Sequence, residues 1–256
     1  MTEYAPGVPM WVDVSSPDLD KSRAFYKGLF GWDAQTVPDP EAGGYTMFFL
    51  NGKMVGAAGP TFSPDQHPAW ATYVCTNDAD ATVQAVKDAG GQVVVEPMDV
   101  MGQGRMAVLQ DPTGAHISLW QPEIHRGAEL VNDPGSFCWN ELYTRDVGAA
   151  RDFYRKVFGW GIEDSEFPGG AYTVFQVDGK PIAGGLDMST MLPDSVPPHW
   201  LVYFTVENTA DTVNKAKELG ATILDGPHDS PMGPMAVMND PVGAAFAIIQ
   251  AGSSES

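Results

Sequence analysis

The first part of the chain alternates apolar and polar residues with two different periods. MWVDV (residues 10–14) alternates at every second position, as a strand with one buried face does. Phe25 and Leu29 lie one helical turn apart and precede Gly31, a helix-stop residue. Asn51-Gly52 then separates two apolar runs, which is the signal of a type I′ hairpin. The pattern therefore predicts a β-α-β-β unit.

The same two periods return over residues 69–121. AWATYVC is typical of a strand, and DADATVQAVKDAGG predicts a helix that turns Val83 and Val86 inward before its Gly-Gly stop. Three more strands are expected in QVVVE, RMAVLQ and AHISLWQ, with DPTG as the turn between the last two. Strands and helices that alternate with short hairpins predict an α+β fold.

The whole pattern then occurs a second time. PMWVDVSSPDLDKSRAFYKGLFGW ends at Trp32, and FCWNELYTRDVGAARDFYRKVFGW ends at Trp160. DPTGAHISLWQ is likewise matched by DPVGAAFAIIQ. A period this long indicates a duplicated domain. We assign domain 1 to residues 1–122, a linker to 123–135, domain 2 to 136–252 and a frayed tail to 253–256.

Composition narrows the classes of partner. The chain has 14 basic and 33 acidic residues, for a net charge of −19, which argues against nucleic acid or an anionic membrane as a partner. We find neither a long apolar run nor a signal-peptide pattern, so we expect a cytoplasmic protein that does not bind membranes. Cys75 and Cys138 lack metal-type spacing, and free thiols are expected.

At this point the motifs resemble a family. The FYKGLFGW helix end, the Gly-bracketed hairpin and GRMAVLQDPTGAHISLWQ, repeated in both halves, are similar to the vicinal oxygen chelate superfamily of glyoxalases, bleomycin-resistance proteins and extradiol dioxygenases. The resemblance covers almost the whole chain. It implies two tandem glyoxalase-like domains, each a pair of βαβββ modules that form a curled mixed sheet with a concave cup.

The resemblance also implies where metal ligands would stand. The family's first-strand ligand falls on Trp11 and Trp139, the second on Ala71 and Leu201, and the third on Ser118 and Ala247. None of these side chains is a good ligand for zinc, iron or manganese, which need His, Glu, Asp or Cys. We therefore expect no metal and no other cofactor. A rearranged site of His116, Asp13 and His67, with metal-dependent glyoxalase or dioxygenase activity, is the remaining metal hypothesis.

The strand period of two predicts which side chains face the cups. The candidate ligand-binding residues of domain 1 are Trp11, Asp13, Trp70, Tyr73, Arg105, Met106, Ser118 and Trp120, and those of domain 2 are Trp139, Glu141 and Tyr203. An apolar, aromatic concavity with a few polar groups is the usual small-molecule site, and the cup of domain 1 fits that description better. The two first-strand tryptophans equally suit core filling, and Asp13 equally suits an ion pair with Arg105.

Three hypotheses about the function follow. The first is a binding protein that sequesters an apolar or aromatic metabolite or antibiotic, mainly in the cup of domain 1. The alternative is a metal-independent lyase, isomerase or hydrolase acting on a small carbonyl or aromatic metabolite, with Asp13, Tyr73 and His116 as catalytic candidates. A degenerate pair with filled cups, kept for assembly, is a third hypothesis. Both a monomer and a homodimer agree with the sequence.

Overall fold

The computed structural model describes residues 4–63, 65–167 and 170–250, so the predicted tail at 253–256 lies outside the described residues. The first repeat forms two helices, α1 (Leu19–Phe30) and α2 (Ala79–Asp88), and a short 3-10 helix at Pro40–Ala42. Its strands are β1 (Pro9–Ser16), β2 (Asp33–Thr36), β3 (Thr46–Leu50), β4 (Lys53–Pro60), β5 (Ala69–Cys75), β6 (Gln92–Asp99), β7 (Gly104–Gln110) and β8 (His116–Pro122).

The second repeat follows the same order. Its helices are α3 (Val147–Phe158) and α4 (Thr209–Glu218). Its strands are β9 (Phe137–Thr144), β10 (Gly161–Phe167), β11 (Gly170–Val177), β12 (Lys180–Asp187), β13 (His199–Val206), β14 (Thr222–Ser230), β15 (Gly233–Asn239) and β16 (Ala245–Gln250). In the described part of the chain, no helix is long and apolar enough to cross a membrane.

Each repeat builds one curled sheet of eight strands, which confirms the predicted α+β fold. Sheet 1 has the order β2-β3-β4-β1-β5-β8-β7-β6, and sheet 2 the order β10-β11-β12-β9-β13-β16-β15-β14. The pairs β1–β4, β5–β8, β9–β12 and β13–β16 are parallel. The hairpins β3–β4 and β7–β8, like their counterparts in sheet 2, are antiparallel.

Local signals set the ends of these elements, and Gly31 and Asn51-Gly52 act as the sequence predicts. Asp18 caps α1 by accepting a hydrogen bond from the Lys21 backbone N–H, and Gly31 ends the helix with φ of 76°. Asn51 and Gly52 both have positive φ, 53° and 77°, as a type I′ turn requires. The hairpin predicted at Asn51-Gly52 is therefore confirmed.

The side chains pack into two compact units that do not coincide with the repeats. Unit 1 is built from the chain up to Trp11, Thr72–Gly127 and Trp139–Leu201, and unit 2 from Val12–Ala71, Ala128–Cys138 and the chain from Val202 onward. Unit 1 thus combines the second module of repeat one with the first module of repeat two. Unit 2 combines the two remaining modules.

A buried hydrogen-bond network ties the two modules of unit 1. The Tyr154 hydroxyl on α3 donates to Asp111 Oδ2 at 2.8 Å and accepts from Trp200 Nε1 at 2.9 Å. Asp111 Oδ1 in turn accepts the backbone N–H groups of the DPTG turn. Around this network pack the apolar side chains Val74, Val83, Val86, Leu109, Ile117, Leu119, Leu142, Phe153, Trp160 and Phe175.

Unit 2 contains the same network with the repeats exchanged. Tyr26 on α1 donates to Asp240 Oδ2 at 2.9 Å and accepts from Trp70 Nε1 at 2.9 Å. Its core is a cluster of rings that includes Tyr26, Phe30, Trp32, Phe48, Trp70, Phe204 and Phe246. In each unit a tyrosine of one repeat therefore hydrogen bonds the turn aspartate of the other.

Candidate ligand-binding site

Strand register in unit 1 places one row of soft, polarizable side chains across the concave face of sheet 1. Cys75 on β5 is opposite Trp120 on β8, Trp120 is opposite Met106 on β7, and Met106 is opposite Met98 on β6. Directly opposed residues point to the same face of a sheet. Leu109 and Ile117, which alternate with this set, are buried in the core on the helical side.

A second row runs parallel to the first, through Tyr73, Ser118, Val108 and Val95. Burial decreases along both rows toward the sheet edge. Ser118 and Trp120 are buried, Met106 and Val108 are half-buried, and Met98 is 50% exposed. The wall is thus an apolar surface that a ligand can reach from solvent at its outer end.

At the inner end of this wall, aromatic rings pack on one another. The His125 ring meets Trp11 edge-on at 4.3 Å between centroids and Trp120 at 5.4 Å, and Trp120 lies 6.4 Å from Tyr73. Trp120 Nε1 also donates to the His125 carbonyl at 2.8 Å. The predicted residues Trp11, Tyr73 and Trp120 are thus brought into one cluster. Sequence reasoning missed His125, because it lies in the segment assigned to the linker.

Arg105 lies elsewhere than expected. Its guanidinium donates to Asp80 Oδ2 at 2.8 Å on α2, the helix that packs against β6 and β7. Because Arg105 precedes Met106 on the same strand, the two side chains point to opposite faces. The structure thus pairs Arg105 with a helix residue instead of grouping it with Met106, and we leave it out of the proposed site.

In unit 2 the polar candidate is Asp13. Its Oδ2 accepts a hydrogen bond from the Tyr45 hydroxyl at 2.8 Å, and both side chains are half-buried. Sequence reasoning missed Tyr45, although the pair Tyr-Thr recurs at the same point of both hairpins, as Tyr45-Thr46 and Tyr172-Thr173. Trp70 is placed in the core, where its indole donates to Tyr26.

The equivalent rows of sheet 2 have a different composition. In unit 2, Thr205, Ile249, Met235 and His228 lie opposite one another across four strands. The predicted residue Tyr203 stands opposite Ala247, and it is buried. The two copies therefore present different chemistry at matching positions, with an indole in sheet 1 where sheet 2 has an isoleucine.

A hydrogen-bond relay in unit 1 connects the two domain 2 candidates Trp139 and Glu141. Trp139 Nε1 donates to the Tyr172 hydroxyl at 3.1 Å, and Tyr172 donates to Glu141 Oε1 at 2.6 Å. Glu141 is 7% exposed, whereas Trp139 and Tyr172 are half-buried. Burial and the charge of Glu141 raise the pKa of Tyr172 far above its ordinary value, so the phenol keeps its proton and remains a donor.

The geometry of this relay requires a glycine at position 184. Gly184 on β12 pairs with Glu141, and a Cβ placed there would overlap the Tyr172 hydroxyl. The tyrosine on β11 therefore crosses over the bare backbone of β12 to reach β9. Ala57, at the matching place in repeat one, pairs with Asp13.

Two further rings adjoin this relay. Tyr143, two residues beyond Glu141 on β9, stacks on His199 with 5.2 Å between centroids and an interplanar angle of 3°. Burial lowers the pKa of His199, which keeps the imidazole neutral at neutral pH. Neither residue was a sequence candidate, although the period of two along β9 could have indicated Tyr143.

The donor set at the family's metal positions does not fit a metal ion. The indole of Trp139 uses its N–H as a donor to Tyr172, and Ser118 is a buried hydroxyl opposite Tyr73. His116 and His67 of the rearranged-site hypothesis are both exposed. Within the described residues, no group of three His, Cys, Asp or Glu side chains is placed to hold a metal ion. The catalytic trio of Asp13, Tyr73 and His116 stays a prediction.

The fold and its duplication define the class of protein. The family model of the glyoxalase/bleomycin resistance protein/dioxygenase superfamily matches residues 10–119 and 136–248, and the chain belongs to that superfamily. The Mn(II)-bound glyoxalase from Novosphingobium aromaticivorans has a similar fold, with a TM-score of 0.65 and 16% identity over 96% of this chain and 82% of that chain.

More similar relatives carry more specific names. The anthracycline biosynthesis protein DauV of Streptomyces sp. strain C5 is 44% identical over 98% of this chain and 95% of its own length. The anthracycline biosynthesis protein DnrV of Streptomyces peucetius is 43% identical over the same shares.

Proposed function

We propose that the protein binds a planar aromatic small molecule of the anthracycline type on the concave face of sheet 1, without a metal ion. The observation that carries this proposal is the apolar wall in unit 1, where Met106 and Val108 are partly open to solvent beside the buried Trp120. Two relatives that match nearly the whole chain are named for anthracycline biosynthesis, which supports this ligand class.

The chemistry of the wall suits such a ligand. Thioether side chains adapt to irregular apolar surfaces and make favourable contacts with aromatic rings, and an indole adds a large rigid area. Met98, Met106 and Trp120 provide this combination along one row. The matching row of sheet 2 includes Thr205 and His228, which is why we assign the main site to domain 1.

The first test is a titration of the protein with a neutral anthracycline aglycone, in which binding is measured by the fluorescence of the ligand. Met106→Gln places an amide in the apolar wall, and we expect the dissociation constant to rise about tenfold, equivalent to ~1.4 kcal/mol. Met235→Gln, at the equivalent position of sheet 2, is the matched control and keeps wild-type affinity. The proposal would be contradicted if the two substitutions had equal effects, or if the wild-type protein did not bind the aglycone saturably.

A second candidate function, a metal-independent enzyme, is favoured by one observation. Asp13 and Tyr45 form a half-buried carboxylate–phenol pair at 2.8 Å. A carboxylate in this position can remove a proton next to a carbonyl group, and a phenol hydrogen bonded to it holds it in place. In this case the incubated aglycone changes mass or isomeric form, and Asp13→Asn abolishes the change while binding remains. Ligand recovered unaltered from the wild type supports the binding function alone.

A further inference from the structure

The first strand of repeat two carries a line of side chains that the proposed function leaves unused. Trp139, Glu141 and Tyr143 alternate along β9, while Leu142 between them is buried in the apolar core of unit 1. The three side chains therefore face the concave side of sheet 2. Tyr172 joins them from β11 through its hydrogen bonds to Trp139 and Glu141. We call these four residues the acid-aromatic stripe.

The stripe combines a fixed carboxylate with the faces of aromatic rings. Tyr172 holds Glu141 through a hydrogen bond of 2.6 Å, and the pKa of Tyr172, raised by burial, keeps that hydrogen bond in place across neutral pH. Trp139 and Tyr172 are half-buried, so both side chains are partly open to solvent. Rings of this kind attract a cation placed over their faces, and a carboxylate among them adds a counter-charge in a partly desolvated setting.

Two charged or titratable groups near the stripe, Arg145 just after β9 and His199 at the start of β13, fit this assignment. Arg145, two residues beyond Tyr143, donates to the carbonyls of Pro193 and Val196, so its charge is engaged by that loop. His199, which stacks on Tyr143, is kept neutral by burial. The net charge of −19 also attracts cations toward the protein over longer distances.

We propose that the acid-aromatic stripe binds the ammonium group of an aromatic amine, with Glu141 as the counter-charge and the rings as walls. This is a second site, on the other sheet and with a different ligand chemistry from the neutral aromatic site proposed above. Repeat one lacks the full arrangement, because Ser15 takes the place on β1 that Tyr143 takes on β9, and Ser15 hydrogen bonds the Ala69 backbone.

The test compares benzylamine with benzyl alcohol, its neutral counterpart of similar shape, by calorimetric titration of the full chain. We expect benzylamine to bind about tenfold more tightly. The site is identified by NMR, where the indole N–H signal of Trp139, assigned through Trp139→Phe, shifts on addition of benzylamine. Equal affinities for the two probes, or an indole signal that does not move, would overturn the proposal.

Two substitutions distinguish the contribution of the Glu141 charge to amine binding from a loss of folding. Glu141→Gln keeps a side chain that accepts the Tyr172 hydrogen bond, and it should remove the preference for the amine. If Glu141→Gln does not fold, Tyr143→Leu serves instead, since losing one ring should weaken amine binding while the carboxylate remains. Glu218→Gln, at an exposed carboxylate of α4 outside both proposed sites, is the charge-matched control and leaves the preference intact. A preference retained in Glu141→Gln, or amine binding untouched in a folded Tyr143→Leu, overturns the assignment.

The outcome is independent of the proposal for sheet 1. Met106→Gln should leave benzylamine binding at its wild-type strength, and Glu141→Gln should leave the affinity for the neutral aglycone unchanged. Failure of one site therefore does not imply failure of the other.

Discussion

At the scale of single residues, the buried tyrosines of α1 and α3 stabilise the fold through their hydroxyl groups as well as through the packing of their rings. Tyr26 and Tyr154 are fully buried, and each hydroxyl joins a tryptophan indole to a turn aspartate. Removing such a hydroxyl leaves two buried polar groups without their partner, which costs more than the hydrogen bond alone.

Tyr154→Phe should therefore lower the free energy of unfolding by about 1–3 kcal/mol, since both Asp111 and the Trp200 indole lose a buried contact. Urea denaturation followed by far-UV circular dichroism measures the change. Tyr45→Phe, at a half-buried hydroxyl, is the control and should cost less. Equal costs for the two substitutions would show that the Tyr154 network has no special weight.

Asp240 makes the stability of the Tyr26 network in unit 2 depend on pH. Burial raises the pKa of its carboxyl above 3.8, against the opposing effect of hydrogen bonds from Ala244 and Tyr26. A carboxyl with a raised folded-state pKa favours folding when protonated, so its contribution to stability is lost as pH rises through that window. The stability of the wild type relative to Asp240→Asn should therefore fall as the pH rises above the ordinary carboxyl pKa of 3.8. A difference independent of pH, from parallel urea titrations, would contradict this.

At the scale of elements, the acid-aromatic stripe is assembled by the Tyr172 side chain, which extends from β11 across the backbone of β12 to reach Glu141 on β9. Gly184→Ala should displace Tyr172, because the new methyl group would overlap its hydroxyl. We expect a loss of about 1–3 kcal/mol in stability and a shifted Trp139 indole signal.

The double variant Gly184→Ala with Tyr172→Ala isolates this clash. If the clash is the cause, the two substitutions together cost less than the sum of their separate effects. If the losses of stability were strictly additive, the effect of Gly184→Ala would come from the β12 backbone and not from the clash with Tyr172.

The sequence predicted the ends of helices and hairpins better than it predicted the contacts between strands. The caps at Asp18 and Gly31 and the turn at Asn51-Gly52 are local, so a short window contains their cause. The bond between Tyr45 and Asp13 depends on strand order, which no local pattern shows.

The sequence contains enough information to separate Arg105 from the rest of the site. Arg105 and Met106 are adjacent on one strand, so the period of two already excludes a shared face. The aromatic contact of His125 with Trp11, in contrast, depends on how the segment after β8 folds back, which no local sequence pattern indicates.

At the scale of the whole molecule, each packing unit contains one module from each repeat. A chain cut at an engineered protease site after Asn132, which lies in an exposed stretch, should stay assembled under native conditions. Its two fragments should elute together on size exclusion and separate only in denaturant. Fragments that separate in native buffer would show that the contacts within each unit are too weak to hold the modules.

The exchange of modules also constrains how the two copies can change over time. Tyr26 and Asp240 stand in different repeats but share one hydrogen bond, as Tyr154 and Asp111 do. A substitution at one of these residues in either copy therefore removes a hydrogen bond from the helix or the turn of the other copy. On the concave faces the two copies already differ in chemistry, with Trp120 in sheet 1 where sheet 2 has Ile249, while the shared hydrogen bonds are the same in both units.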